Sequence, residues 1–191
     1  PLKCGDRLWI CPSWIAPPDP DAINLSLDPG LAFGTGSHPT THLCLRWLDK
    51  QDLAGQTVID YGCGSGILGI AALLLGAERV IAVDNDPQAL LATRDNAQRN
   101  NIAAERLETY LPDQVPANSV GQTMLANILA APLITLAPTL TAMTAANGNL
   151  CLSGLLEHQI DAVCAPYRDD FSFADAAIES EWAQLSARKN A

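Results

Sequence analysis

The residues best suited to chemistry lie in a glycine-rich stretch between two apolar runs. Residues 58–66 read VIDYGCGSG, and the segment 67–75 that follows is almost wholly apolar. The three glycines, Gly62, Gly64 and Gly66, allow a tight turn and let the backbone approach a ligand with no Cβ in the way. A strand, a glycine turn and a helix in this order predict a nucleotide-type site in a doubly wound α/β sheet. A sharp strand-to-helix connection without a ligand is the alternative.

The kind of ligand is indicated by the glycine spacing and by an acidic residue further along. Asp84 comes twenty residues after Gly64 and closes the apolar run 79–84, where a carboxylate accepts hydrogen bonds from ribose hydroxyls. A dinucleotide site needs another glycine three positions after Gly64, but Ile67 stands there. The pattern G-x-G-x-G is associated instead with S-adenosylmethionine sites, where no pyrophosphate binds the helix N-terminus. We therefore expect S-adenosylmethionine, with a nicotinamide-dependent oxidoreductase as the less favoured alternative.

A second stretch, DPGLAFGTGSHPTT at residues 28–41, is rich in glycine, proline and hydroxyl residues and predicts a loop. Pro39 suits the first turn of a helix with one apolar face. Either Ser37 or Thr40 caps this helix, or its free N–H groups face a ligand carboxylate. His38 alone is interpreted as a capping or packing residue and not as a base.

The rest of the chain alternates patterns typical of strands and helices. Strands are predicted at 8–10 and 23–27, which form a small cap or edge hairpin, and at 57–60, 79–84, 106–110, 120–126 and 149–153. Helices are predicted at 65–75, 86–100, from about 128 and at 157–165, before a closing antiparallel hairpin of 171–178 and 181–188. The alternation predicts a Rossmann-like α/β fold with a mostly parallel seven-stranded sheet and helices on both faces.

Four residues follow four different predicted strands. Gly62, Asp84, Asn127 and Ser153 each stand just after or at the end of a strand. Ligands of open parallel sheets bind beyond the carboxyl ends of the strands. We therefore expect the fold to bring these residues to one edge of the sheet.

Composition restricts the classes of partner. The 191 residues are 48% apolar and 17% charged, which is typical of one folded domain, and the longest apolar run, 67–77, is too short to span a bilayer. The net charge is −10 and no basic cluster exceeds Arg188-Lys189, so direct binding to nucleic acid is not expected and a cationic partner is favoured. The six cysteines form no C-x-x-C pair, so no metal site is expected. A monomeric, cytoplasmic protein with reduced thiols is the expectation.

Several motifs together resemble one known family. They are residues 28–41, residues 58–66, Asp84 with Asp86-Pro87, residues 126–130, residues 152–154 and the ending 188–190. In order and spacing they resemble the class I S-adenosylmethionine-dependent methyltransferases that modify the eleventh protein of the large ribosomal subunit. The resemblance covers essentially the whole chain, with Ser37 where the family pattern has Thr. It implies a protein N-methyltransferase acting on lysine side chains and the N-terminal amine of that ribosomal protein.

The resemblance also implies roles for particular residues. The implied cofactor-binding positions are Thr41, Gly62, Gly64, Gly66, Asp84 and Asn127. Asp84 would hold the ribose and Thr41 the methionine end of the cofactor. Asn127, the one candidate catalytic residue, would lie between the cofactor and the substrate amine and orient that amine.

The resemblance divides the chain into two parts. Residues 1–35 are expected to form an N-terminal strand and linker extension with the start of the signature loop, and residues 36–191 the methyltransferase domain. The resemblance also implies an N-terminal substrate-recognition domain in family members, and we expect this chain to correspond to the part that follows it. Two alternatives therefore stay open: a methyltransferase with another amine substrate, and a cofactor-binding core inactive on the ribosomal protein.

Overall fold

The computed structural model of the protein describes residues 1–28 and 38–191, which contain two β-sheets and six α-helices. The strands are β1 (Leu2–Cys4), β2 (Leu8–Cys11), β3 (Ile23–Ser26), β4 (Thr57–Tyr61), β5 (Arg79–Val83), β6 (Leu107–Tyr110), β7 (Gly121–Asn127), β8 (Thr144–Leu156), β9 (Phe171–Phe173), β10 (Ala177–Glu179) and β11 (Trp182–Lys189). The helices are α1 (Pro39–Asp49), α2 (Ile67–Leu74), α3 (Pro87–Arg99), α4 (Ala130–Thr135), α5 (Ala137–Ala142) and α6 (Ile160–Cys164).

The larger sheet confirms the predicted Rossmann-like fold. Its order is β10-β11-β8-β7-β4-β5-β6, with β4 to β8 parallel and β11 antiparallel to β8. From β4 the chain first adds β5 and β6 on one side and then β7 and β8 on the other. Strand order therefore reverses at β4, which is the point where open α/β sheets form a ligand crevice.

The sheet has eight strands at seven positions, because the strand predicted for 171–178 is interrupted. Both β9 and β10 pair with the edge of β11 that faces away from β8. From the pair Phe173 and Ala187 to the pair Ala177 and Gln184, one strand advances four residues and the other three. The extra residue is a bulge that divides the strand in two.

The N-terminal strands form a separate small sheet in the order β1-β2-β3. The prediction of an edge hairpin for 8–10 and 23–27 is wrong, because β2 and β3 run parallel and a hairpin joins antiparallel strands. The sheet packs on α1, where the backbone N–H groups of Asp6 and Arg7 donate to the Asp49 carboxylate at 2.7 and 3.0 Å. The boundary predicted between residues 35 and 36 lies outside the described residues and stays a prediction.

Two predicted helices are shorter than expected. Residues from 128 form α4 and α5 with a break at Leu136, because Pro138 has no N–H to donate and its ring clashes with the preceding turn. The segment 157–165 forms a 3₁₀ turn followed by α6. No helix in the described part of the chain is long and apolar enough to cross a membrane.

Apolar residues cover both faces of the larger sheet, as predicted. Val58 of β4 belongs to the core that includes residues of α1, α2 and α3, while its neighbour Ile59 belongs to the core that includes residues of α4, α5 and α6. Alternate residues of a strand point to opposite faces, so one strand contributes to both cores. Helices on both faces leave the carboxyl ends of the strands as the exposed edge.

Candidate cofactor-binding site

A cleft of about 760 Å³ opens at the carboxyl ends of the central strands. This volume lies in the range of small-molecule sites. The described residues that line it are His38, Thr40, Tyr61, Gly62, Gly64, Asp84, Asn85, Pro112, Asn127, Ile128, Leu129, Pro132, Leu136, Gly154 and Trp182. Four of the six predicted cofactor-binding residues, Gly62, Gly64, Asp84 and Asn127, are therefore brought together, as the predicted topology requires.

The other predicted positions lie beneath this lining. Thr41 is fully buried on α1, and Gly66 packs against α3. Ser153 is also fully buried at the end of β8, where its hydroxyl lies 3.3 Å from the Thr40 carbonyl oxygen and 3.2 Å from that of Ala183. These residues support the walls of the cleft from behind.

The glycine turn has a backbone that other residues adopt with difficulty. Gly62, Gly64 and Gly66 have φ values of +84°, +55° and +84°, in the left-handed region. A Cβ on Gly62 would collide with Ile128, and one on Gly66 would lie 2.9 Å from Thr93 Cγ2. Both conformation and space therefore require glycine, which confirms the tight turn inferred from the sequence.

Asp84 stands at the start of the loop after β5, with its carboxylate held by the backbone. Its Oδ2 accepts from the N–H of Gly64 and its Oδ1 from the N–H of Asp86, each at 3.0 Å. Bonds from N–H groups to a carboxylate are charge-assisted and fix its orientation. Each carboxylate oxygen keeps further acceptor capacity, which suits a pair of ligand hydroxyls in the cleft.

A second carboxyl group, Asp60, lies buried under the same turn at 1% exposure. Its Oδ2 accepts from the N–H of Gly69 at 3.0 Å. Burial raises the pKa of Asp60 from 3.8 to about 7, against the lowering effect of the Gly69 bond and with a smaller contribution from the charge of Asp84. Burial also raises the pKa of the Cys63 thiol far above its usual range, so Cys63 is not a thiolate nucleophile.

Asn127 ends β7 at the middle of the cleft. Its Nδ2 donates to Thr41 Oγ1 at 3.3 Å, which fixes the orientation of the side-chain amide. The strand order places β7 two strands from β5 and two strands from β11. Because neighbouring strands are about 4.8 Å apart, Asp84 and Trp182 lie about 19 Å apart along the sheet edge, with Asn127 midway.

The start of α1 forms one wall of the cleft. His38 is the N-cap, and its Nδ1 accepts from the Thr40 N–H at 3.3 Å. The cap is thus His38, and not Thr40 as one prediction had it, because the imidazole nitrogen takes the place of a capping oxygen; Ser37 lies outside the described residues. The His38 ring also packs edge-on against Trp182, with centroids 5.2 Å apart. These contacts confirm His38 as a capping and packing residue.

The far end of the cleft is apolar and was not predicted from the sequence. It is lined by Leu129, Pro132, Leu136 and Trp182, and Leu129 is 67% exposed. Trp182 follows a two-residue turn, Ser180-Glu181, and nothing in the sequence indicates that it lines the same cleft as Asn127. The apolar pair Ile128-Leu129 directly after Asn127 is the one sequence feature that could have indicated an apolar site there. Within the described residues no group of three or more His, Cys, Asp or Glu could hold a metal ion.

The chain is similar to known proteins over nearly its whole length. The family model described as ribosomal protein L11 methyltransferase (PrmA) matches residues 1–190. The ribosomal protein L11 methyltransferase of Cellvibrio japonicus is 60% identical over 188 residues, which are 98% of this chain and 64% of that protein. The chain thus spans about 64% of the length of the curated relatives it matches.

Solved structures agree with these matches. The crystal structure of ribosomal protein L11 methylase from Lactobacillus delbrueckii subsp. bulgaricus has a TM-score of 0.88 and 30% identity, covering 100% of this chain and 98% of that one. A 16S rRNA methyltransferase of T. thermophilus, solved with AdoMet and guanosine, has a TM-score of 0.67 and 19% identity over 83% of this chain and 45% of that one, and shows the fold alone. Because the family match runs from the first residue to the last but one, the chain belongs to the ribosomal protein L11 methyltransferase family.

Proposed function

We propose that the chain binds S-adenosylmethionine in the cleft and transfers its methyl group to amines of ribosomal protein L11, on lysine side chains and at the N-terminus. The observation that carries this proposal is the position of Asp84, whose carboxylate is fixed by two backbone N–H groups at the edge of the cleft. Family membership supports the choice of cofactor and of substrate. Because the relatives are longer than this chain, activity on L11 is a property to be tested on the chain itself.

The polar end of the cleft fits the nucleoside part of this cofactor. Gly62 and Gly64 present backbone without a Cβ, and Asp84 offers acceptors for two ribose hydroxyls. The turn holds no glycine for a pyrophosphate, since Ile67 occupies that position and is buried. These features favour S-adenosylmethionine over a nicotinamide dinucleotide.

Asn127 is the residue that we assign to the substrate amine. When bound, S-adenosylmethionine supplies a methyl group that its sulfonium has already activated. The protein then has to hold the amine in line with the methyl group and exclude water. Proximity and orientation alone lower the barrier of such a transfer strongly. The Thr41 hydroxyl oxygen accepts a hydrogen bond from the amide N–H of Asn127, so the Oδ1 atom of Asn127 is the group available to accept a hydrogen bond from an amine. Thr41 would thus act on the site through Asn127.

The apolar end of the cleft favours the neutral form of the substrate amine, which is the form that accepts the methyl group. A lysine with a pKa of about 10.4 is protonated at pH 7, and removing its proton costs about 4.6 kcal/mol. Leu129, Pro132 and Trp182 remove water from this end, and desolvation lowers the pKa of an ammonium group. The methylene stem of a lysine side chain suits the same apolar lining.

We further propose that no dedicated strong base acts here and that the amine proton leaves through water. His38 is the one described histidine that lines the cleft, and its Nδ1 is engaged with Thr40. A general base must reach the proton that it removes, and a ring held by its own cap and by Trp182 is poorly placed to move.

A cationic protein partner also agrees with the net charge of −10. Ribosomal protein L11 as the direct partner, without direct nucleic-acid binding, a monomeric state and a cytoplasmic location are parts of the same proposal. The two-part division at residue 35 belongs to it as well.

The decisive experiment incubates this chain with methyl-labelled S-adenosylmethionine and ribosomal protein L11. Label is expected on L11 amines, and calorimetry is expected to give binding of S-adenosylmethionine but not of NAD. Cofactor binding without transfer would leave a cofactor-binding core inactive on L11. Transfer to other amines but not to L11 would assign another substrate. Binding of NAD in place of S-adenosylmethionine would overturn the proposal.

A further inference from the structure

One face of α1 contacts two different walls of the cleft. The N-cap His38 packs on Trp182, Thr41 accepts from Asn127, and His42 contacts Glu179. Positions i, i+3 and i+4 lie on the same face of a helix, so three neighbouring side chains make these contacts. Two of them are accounted for above, but the contact of His42 is not.

His42 pairs with the hairpin of β10 and β11 across the helix. Its Nδ1 lies 3.2 Å from Oε1 of Glu179, which is 137 residues further along the chain. The two side chains are 20% and 31% exposed. A carboxylate only accepts hydrogen bonds, so Nδ1 carries a hydrogen and donates a hydrogen bond to Glu179.

The other ring nitrogen of His42 is buried without a hydrogen-bond partner among the described residues. A buried polar atom that makes no hydrogen bond costs free energy. An apolar side chain at position 42 would fill the same place without that cost. Packing of α1 onto the sheet therefore does not by itself account for a histidine at position 42.

The geometry indicates that the contact of His42 with Glu179 holds Trp182 in place. Glu179 and Trp182 are direct register partners at the tip of the hairpin. The two residues between them, Ser180 and Glu181, have φ values of +49° and +73°, which non-glycine residues adopt only when the surroundings hold them. A shift of Glu179 therefore moves Trp182 directly, because the turn between them is as short as a hairpin allows.

We propose that His42 and Glu179 are positioning residues that set Trp182 as the amine-side wall of the cleft. This inference rests on the proposed function, and it assigns the pair to the affinity for the protein substrate. Trp182 lies four strands from β5, while Asp84 and the glycine turn lie at the other end. Loss of the pair should thus weaken the binding of the substrate and leave the binding of the cofactor unchanged.

The test uses His42→Leu, which removes the donor, and Glu179→Gln, with Asp161→Asn as a control that breaks the remote ion pair of Asp161 and Arg168. In ¹H–¹⁵N spectra the indole signal of Trp182, assigned by its absence in Trp182→Phe, should move in His42→Leu while those of Trp9 and Trp14 stay. The KM for ribosomal protein L11 should rise about tenfold in His42→Leu and about threefold in Glu179→Gln, whose amide oxygen still accepts. The dissociation constant of S-adenosylmethionine should stay within about twofold of the parent value.

Three results would overturn the inference. They are an unmoved Trp182 signal in His42→Leu, an unchanged KM for L11 in that variant, and a parallel loss of affinity for S-adenosylmethionine, which would indicate general loosening of the fold. A parent chain that neither binds S-adenosylmethionine nor methylates L11 would instead contradict the proposed function. The Trp182 signal can be recorded whether or not the chain is active, so it tests the positioning of the hairpin independently of the proposed function.

Discussion

The two ends of the cleft are held by different means. At the polar end, backbone N–H groups hold the Asp84 carboxylate, and the partners Gly64 and Asp84 are only twenty residues apart. From the middle of the cleft to its apolar end, side chains hold side chains over long separations: 86 residues between Thr41 and Asn127, and 137 between His42 and Glu179. The polar end thus depends on contacts within one βαβ unit, while the rest of the cleft depends on contacts between segments that are distant in the chain.

This difference separates two properties of the proposed enzyme. A ligand held by backbone groups and a fixed carboxylate depends on few side chains, so most substitutions elsewhere should leave its affinity unchanged. An amine held between Asn127 and Trp182 depends on contacts from α1 and the hairpin. Variants of the two ends should therefore change different measured quantities.

The largest effect is expected for Asp84→Ala at the polar end. The variant loses the acceptor for two ribose hydroxyls, and charge-assisted hydrogen bonds contribute about 1.5–3 kcal/mol each, so affinity for S-adenosylmethionine should fall about 1,000-fold. Calorimetry measures this directly. Asp95→Ala, at an exposed site on α3, is the matched control and should bind like the parent. Unchanged affinity in Asp84→Ala would refute the ribose assignment.

A second large effect concerns stability and comes from Asp60 under the same turn. Its pKa in the folded protein is raised from 3.8 to about 7, so between these values the folded state keeps a proton that the unfolded state releases. Stability must therefore fall as pH rises through this window and level off above pH 7. From pH 5 to pH 8 this loss is about 3 kcal/mol, at 1.36 kcal/mol for each unit.

Asp60→Asn removes the titrating group and keeps an acceptor for the Gly69 N–H. The free energy of unfolding of the variant, relative to the parent, should rise by about 3 kcal/mol between pH 5 and pH 8. Urea titrations at the two pH values measure it. A difference independent of pH would mean that Asp60 is ionised in the folded protein already at pH 5.

The same contrast explains what could be predicted from the sequence. The glycine turn and the alternation that gives the parallel strands are local patterns, and the structure confirms them. Asp84 lies directly after β5 at the cleft, as the sequence predicts, while its role toward ribose stays a prediction. The parallel pairing of β2 with β3, the bulge that divides β9 from β10 and the position of Trp182 depend on contacts between distant segments. Propensity and spacing carry no record of such contacts, so the apolar end of the cleft was missed.

A smaller effect is expected for Asn127→Ala, midway between the two ends. The variant loses the amide that we assign to the substrate amine, so kcat with L11 should fall about thirtyfold, corresponding to about 2 kcal/mol. Affinity for S-adenosylmethionine should change by less than about threefold. Thr41→Val keeps the shape of Thr41 but removes the oxygen that orients Asn127, and should reproduce part of the loss in kcat. Loss of cofactor affinity equal to that of Asp84→Ala would show that the two ends are not separate.

The smallest effect is expected for His38→Ala. This variant removes a helix cap, which costs about 1 kcal/mol of stability, and one ring contact with Trp182. If His38 only caps and packs, kcat with L11 should fall less than about tenfold, because a general base contributes about a hundredfold or more. His38→Asn is the matched control, since Asn restores a cap but cannot act as a base, and it should recover most of the activity. A loss beyond a hundredfold in both variants would make His38 the base, and the amine end would then contain a catalytic group in addition to its positioning contacts.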